Sequence, residues 1–524
     1  MTFATDTIAA RYPDFVDRVD SILATPGIVE LRVCPSGYLA FGYSATLVIH
    51  TCGAVPPPIH PSVELIFGTA GDMDATVLRS VILSLAKHRR PIWARDAAFV
   101  GAAVFEMTKV RLRSLRDFDT ARAVIAPEST EDLPMSELLA RSTPVTRQLA
   151  KEEQTQASIW HWASYRGHRV DRVALAGAKD EVRAAREAGL QRNAGIDLMD
   201  SARPEPIFRW LDARGIRIVD ERGKRKLSHD YWAAAVVPEA SLPDWEAFKA
   251  TRNAGANSAK LNEIERAMTA EGRVHTTFST MGAITGRFTS TNPALQNLPK
   301  GLHRLLIADP GMQLVSADLK FCEIAVAAML SGDPDLVVAC AGDPYVDLAV
   351  KIWGPQARDD ISMRSRAKRG LLAPMYGQGA EGLGRQLQIP TDRARDLIHG
   401  VHSSYPVFSR WMADTEAQAR SGRPLHTMRG RQLPAPDAPY KSVNHVIQAS
   451  AAELWKVMVL RVAKRLGPAS CWLPVHDDLV VSVPDDLFSL KQAVAVLQEE
   501  MCESAKGVEL KVGLPTRHGD RWGV

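Results

Sequence analysis

Along the first third of the chain the apolar residues fall into short β-branched runs. Residues 28 to 50 and 62 to 68, which include "YLAFGYSATLVIH" and "VELIFG", read as strands. From 75 to 125 helical and short strand patterns alternate, so this part reads as an α/β unit. "APESTEDLP" at 126 to 134 is polar and bounded by prolines, and marks a first boundary. From about 135 to 270 the apolar positions take the helical period and leave charged faces such as "AKDEVRAAREAGLQR". "GMQLVSAD" then predicts a strand and "EIAVAAMLSG" a helix, with Asp318 at the junction. Helical patterns continue to about residue 465.

The run "LPVHDDLVVSV", residues 473 to 483, breaks its own pattern. In one straight strand Asp477 would share a face with Val475, Leu479 and Val481, because side chains alternate. Burying an unpaired carboxylate there would cost several kcal/mol. A hairpin that puts His476, Asp477 and Asp478 at its turn removes the conflict, and Asp is a favoured turn residue. The strand ending in Asp318 can join the same sheet with the helices inserted between them.

Composition narrows the function classes. The 524 residues suggest three or four domains, and 46% hydrophobic and 24% charged residues are ordinary for a folded chain. A net charge of +4 permits nucleic acid as a partner only through a local basic surface. The six cysteines are scattered with no C-x-x-C pair, which argues against a zinc site or disulfide framework and for a reducing cytoplasm. No apolar run approaches a bilayer span, and the N-terminus reads as no secretion signal.

Asp318 and Asp477 together suggest chemistry. Two adjacent carboxylates both stay ionised only with a cation between them. Mg²⁺ takes one or two carboxylates and completes its shell with water and phosphates. In "RSRAKRGLLAPMYGQG", Arg364, Lys368, Leu372 and Tyr376 recur every fourth residue and form one helical stripe. Two cations leading to an apolar and an aromatic group suit a nucleoside triphosphate. The alternative is a solvated basic face ending in a core tyrosine. The carboxylate pair beside the stripe favours metal-assisted phosphoryl transfer.

Five segments in order resemble the motifs of family A DNA polymerases, the bacterial DNA polymerase I family. They are "TGRFTSTNPALQNLP", "SADLKFCEIAVAAML", the stretch from Arg364 to Gly377, "NHVIQASAAELWK" and "VHDDLV". The resemblance covers roughly residues 160 to 524. It implies a mixed α+β right-hand fold, with a palm built on an antiparallel sheet and helical fingers and thumb. It places the thumb and connecting helices at 131–270, the palm at 271–335 and 441–524, and the fingers at 336–440. It further implies two Mg²⁺ ions, with Mn²⁺ able to substitute, held by Asp318 and Asp477, with Asp478 as an accessory acid. Arg364 and the catalytic Lys368 would grip the triphosphate, with Leu372 and Tyr376 along the nucleotide. Glu323 would be the steric gate against a 2′-hydroxyl. Arg287, Asn292, Gln296, Asn444, Gln448, His476 and Gly377 would contact DNA. The implied substrates are primer-template DNA and deoxynucleoside triphosphates, handled by a monomer away from any membrane, in a bacterial or phage-infected cell. Leu372 stands where the family has Phe or Tyr, Ala325 where it commonly has Arg, and Asp478 where it has Glu. Pro374 removes one hydrogen bond inside the stripe helix and predicts a kink.

Residues 1 to 130 resemble a reduced 3′–5′ exonuclease domain of that family. Gly42, Ser44 and Val100 occupy positions where its acids belong, and "RDFDTARAVIAP" keeps a later segment through Asp119 and Thr120. Proofreading is therefore not expected, and no length remains for an N-terminal 5′ nuclease. The short, stripped architecture suggests a phage-type member. Three rivals stay open: a single-subunit RNA polymerase, a catalytically weakened nucleic-acid-binding protein, and a metal nuclease.

Overall fold

The computed structural model describes residues 141–523 except 194, 201, 220–222, 229, 230, 233 and 234. Before them it describes residue 127, six strands and one helix. The chain divides into two compact units. Among the described residues no helix is long and apolar enough to cross a membrane.

The first unit comprises residues 1–166 with 277–289 and 429–432. Its strands are β1 (Asp6–Thr7), β2 (Ile28–Pro35), β3 (Tyr43–His50), β4 (Ser62–Phe67), β5 (Ile92–Ala94) and β6 (Leu115–Asp117). They form one mixed sheet in the order β1-β4-β3-β2-β5-β6. β2, β3 and β4 run antiparallel, while β5 is parallel to β2 and β6 to β5. The α/β reading of this stretch therefore holds for the described residues. Gly42 and Val100 lie outside them, and Ser44 and Asp119 are described in backbone only. Helix α1 (Phe118–Ile125) packs on α2 (Pro144–Arg166) through Val124, Leu149 and Ala150. Trp160 of α2 is fully buried between Phe278 and Phe288, with ring centroids 5.6 and 5.5 Å away.

The second unit comprises residues 167–276, 290–428 and 433–524. Helix α3 (Arg172–Arg192) starts where Asp171 accepts hydrogen bonds from the Val173 and Ala174 amides. After α4 (Pro204–Asp212), α5 (Leu242–Ala267) packs against α3. Trp210, Trp232, Trp245 and Phe248 make an aromatic core at this end of the unit.

The central sheet is antiparallel throughout. Its strands are β7 (Met312–Asp318), β8 (Cys471–Val475), β9 (Asp478–Pro484) and β10 (Thr516–Gly519), in the order β8-β9-β7-β10. The interior positions of β7 and the valine-rich run of β9 are buried. Eight α-helices lie between β7 and β8, and the first seven are α6 (Cys322–Ser331), α7 (Pro334–Cys340), α8 (Pro344–Trp353), α9 (Ile361–Met375), α10 (Ala380–Leu387), α11 (Thr391–Ser404) and α12 (Pro406–Arg420). The largely buried α13 (Ser442–Leu466) follows them, and α14 (Leu487–Glu500) packs across β7 and β9.

Local chemistry sets the helix starts. "GDP" occurs at 332–334 and 342–344; each Asp caps a helix and each Pro opens its first turn. Asp333 does more, because its second carboxylate oxygen accepts from the Val407 and Phe408 amides at the start of α12. One fully buried carboxylate therefore caps both α7 and α12. Asp333→Ala is expected to cost about 2–4 kcal/mol, two caps at roughly 1–2 kcal/mol each. Urea denaturation of both proteins checks this, and a loss under about 0.5 kcal/mol, the range of a neutral surface change, would contradict it.

Pro374 falls in the last turn of α9, not in its middle. The Gly377 amide bonds to the Pro374 carbonyl and the Gln378 amide to Ala373, a Schellman closure. The chain leaves the helix at Gly377, three residues after the proline whose donor is missing.

Candidate active site

The hairpin is the one the broken pattern called for, with one refinement. His476 and Asp477 are the two turn residues, while Asp478 already begins β9 opposite Val475. His476 takes a positive φ of 57° and is exposed. The turn is pinned from outside. The Trp455 indole of α13 donates to the Asp477 carbonyl at 3.1 Å, and the Leu319 amide reaches the same oxygen at 3.3 Å. Gln296, which is buried, donates to the Pro474 carbonyl at 3.0 Å.

Asp318 ends β7 and pairs across the ladder with Asp478. With Asp477 beside them, three carboxylates gather at one end of the sheet. Burial and then the charge of Asp477 push Asp318 up to about 6, against the opposing pull of Lys300 and Lys368. As a residue Asp318 still meets solvent, so the neighbouring carboxylate is the firmer cause. Burial, followed by Asp318 and Asp477, raises Asp478 to about 7. Its Oδ1 is buried with no hydrogen-bond partner. Crowded hard oxygens with an unsatisfied lone pair suit a divalent cation such as Mg²⁺. Among the described residues no group of three or more His, Cys, Asp or Glu side chains could hold a metal ion as a set. An ion here would take one or two carboxylates and find its other ligands in water and substrate.

The stripe of α9 faces this centre. Arg364 pairs with Asp343 at 2.7 Å and lies over the Tyr345 ring at 5.4 Å. Lys368 lies over the same ring at 5.6 Å, and its charge reaches Asp318. Tyr345 is buried, and burial followed by the charges of Glu323 and Asp343 raises its hydroxyl well above the usual range. Leu372 is half-buried one turn on.

Tyr376 follows at the end of α9, and its hydroxyl donates to Glu323 Oε2 at 2.6 Å. Gln448 of α13 donates to Glu323 Oε1 at 3.2 Å and approaches the Tyr376 hydroxyl at 3.4 Å. Glu323 stands in the first turn of α6, as its spacing from Asp318 implied. Gly377 has a φ of +69°, and a Cβ there would fall 2.3 Å from Tyr440 Cδ2, so only glycine fits. Asn444, one turn before Gln448, has a buried Nδ2 with no hydrogen-bond partner. Asn292 is exposed with a positive φ of 54°.

Arg287 belongs to the first unit. It follows Gly286 in a tight loop, where the buried Arg431 donates to the Thr285 carbonyl at 3.0 Å. The second unit thus gathers Asp318, Asp477, Asp478, Lys368, Glu323, Tyr376 and Gln448. Sequence reasoning missed Lys300, Asp343 and Tyr345. Lys300 directly follows the "ALQNLP" segment and Asp343 is a helix cap, but nothing in the pattern distinguishes Tyr345.

Comparison with known proteins gives an independent frame. Residues 248–524 match the model of DNA polymerase family A. DNA polymerase I of Thermus aquaticus, a thermostable enzyme, is 33% identical over 277 residues, covering 48% of this chain and 32% of its own. DNA polymerase I of Chloroflexus aurantiacus is 30% identical over 274 residues, covering 48% and 29%. The chain spans about a third of the length of these curated relatives. The polymerase domain of Pol1 from M. smegmatis, solved in complex with DNA primer-template and dNTP, shares the fold. Its TM-score is 0.77 at 20% identity, covering 98% of this chain and 99% of that one.

Proposed function

The chain belongs to DNA polymerase family A, and from that membership we propose that it copies a DNA template by moving deoxynucleotides from their triphosphates onto a primer 3′-hydroxyl. One observation carries the reading: the carboxylates of the sheet end, Lys368 of α9 and the Glu323–Tyr376–Gln448 cluster converge within one unit. A metal nuclease needs the first of these but not the other two.

The residues divide the work as follows. Asp318 and Asp477 would hold two divalent ions, with Asp478 as an accessory acid. When bound, Mg²⁺ lowers the pKa of the primer hydroxyl and neutralises charge on the leaving pyrophosphate. Lys368 meets the triphosphate directly. Arg364, already paired with Asp343, contributes less, and the Tyr345 ring beneath both fixes their direction. Leu372 supports the base, while Tyr376 and Gly377 border the templating position. Asn444, His476, Asn292 and Arg287 contact DNA. Gln296 acts through the hairpin, which it holds by the Pro474 carbonyl. Gln448 both meets DNA and braces Glu323. Palm, fingers and thumb take the ranges expected above, with residues 1–130 as an exonuclease-like domain without proofreading.

The test is extension of a labelled primer on a defined template with Mg²⁺ and all four deoxynucleotides. Growth to the template end, with a mismatched primer left intact when nucleotides are omitted, is the expected result. Primer shortening alone would instead support a nuclease.

Sugar choice tests the gate. Glu323 would exclude a 2′-hydroxyl, held in place by Tyr376 and Gln448. Glu323→Ala is expected to narrow the deoxy-over-ribo preference in kcat/KM by roughly 10- to 100-fold, at some loss with deoxynucleotides. A wild type that uses both sugars equally would reopen the RNA polymerase reading.

A further inference from the structure

We propose that Ser316 and His518 are positioning residues that orient Asp478 through one hydrogen-bond chain running in from the edge strand. The proposal rests on the polymerase reading and extends its centre to a residue that no motif marks.

Ser316 is buried on β7, two residues before Asp318, so both side chains share a sheet face. Asp478 stands across the ladder from Asp318. Ser316 and the Ala317 amide lie close enough to this carboxylate to favour its charged form, while Oδ1 has no hydrogen-bond partner. Ser316 Oγ lies 2.9 Å from His518 Nε2. In the proposed chain the serine proton turns to Asp478, so the serine oxygen accepts and His518 carries its proton on Nε2.

The backbone explains how His518 reaches this place. β10 pairs Leu314 with Gly519 and Val315 with Arg517, so the register slips and His518 is the extra residue of a β-bulge. Bulges re-aim side chains and concentrate beside active sites. The flanking register is locked: Arg517 donates to Gln313 at 2.7 Å, and Gln313 donates to the Pro484 carbonyl at 2.9 Å.

A network that served only stability would satisfy both carboxylate oxygens, since an unpaired buried one is costly. The proposed chain approaches Asp478 from the Ser316 side and leaves Oδ1, which has no partner, for a divalent ion or its bound water. Outer partners of this kind typically change metal affinity 10- to 100-fold when removed.

The experiment uses the full chain, with Mn²⁺ binding read by electron paramagnetic resonance beside primer-extension kinetics. His518→Phe should weaken Mn²⁺ binding roughly 10-fold and lower kcat with little change in nucleotide KM. His518→Gln, which keeps an N–H donor, should recover most of the loss. In an Asp478→Asn background, His518→Phe should add nothing. Ser316→Ala, which deletes one hydroxyl, gives the same cycle if the phenylalanine variant does not fold. Unchanged Mn²⁺ binding, or equal losses in both backgrounds, overturns the positioning role. Wild-type extension with uncoupled variants sinks this inference alone, and coupled Mn²⁺ binding without any extension sinks the polymerase reading alone.

Discussion

Asp477→Ala, and equally Asp318→Ala, is expected to reduce primer extension by roughly three decades or more, because lost metal assistance is worth several kcal/mol of barrier. The fold should survive, since the turn that carries Asp477 is held through its backbone carbonyl by Trp455 and Leu319. Thermal stability should hold or rise. Burial, followed by repulsion among the three carboxylates, lifts Asp318 and Asp478 well above the ordinary carboxylate range, and removing one charge relieves the repulsive part. DNA affinity should change little, because it rests on many phosphate contacts. Extension assays, melting curves and DNA titrations on the same samples separate these effects. Residual synthesis above a tenth of wild type in either variant would sink the metal-site assignment.

Much of this centre is legible in the chain because its signals are local conflicts. Acids at 477 and 478 in a buried apolar run demanded a hairpin, and a strand ending in Asp318 followed by an apolar helix demanded a junction. The "GDP" pairs announce two helix starts by cap chemistry alone. The i, i+4 stripe of α9 needs only the helical period. What escaped the pattern depends on partners distant in sequence. Arg364 looked like a phosphate grip, and only the packing of α8 against α9 supplies Asp343 as its counterion. Gln448 was expected to touch DNA, and the fold also brings it to Glu323 from 125 residues away. The bulge that delivers His518 is a register slip between strands, with no local signature in "PTRHGDRW". Residues 277–289 and 429–432 join the first unit for the same reason: long-range packing leaves no trace in periodicity.

Lys368→Ala carries the second large effect, an expected loss of roughly 10²- to 10³-fold in kcat/KM. Charge builds on the triphosphate oxygens in the transition state, so a fixed ammonium there stabilises the transition state more than the bound substrate. Both kcat and KM should therefore worsen. Arg364→Ala should do less, because its guanidinium is already balanced by Asp343. Lys368→Arg should recover only part, since a planar fork does not replace a compact point charge above the Tyr345 ring. Rapid-quench incorporation of one nucleotide separates binding from chemistry. Unchanged kinetics in both alanine variants would return the stripe to a solvated basic face.

The central claim is that one unit of this chain joins a nucleotide to a primer under the direction of a template base. Single-nucleotide incorporation tests it most directly: one primer, four templates that differ only in the next base, and each deoxynucleotide offered alone with Mg²⁺. The account predicts that each template admits its complementary nucleotide far faster than the other three, with one pyrophosphate released per addition, and that Asp477→Ala abolishes all four. Addition that ignores the template base, or no addition by a folded wild type that binds the duplex, would contradict it.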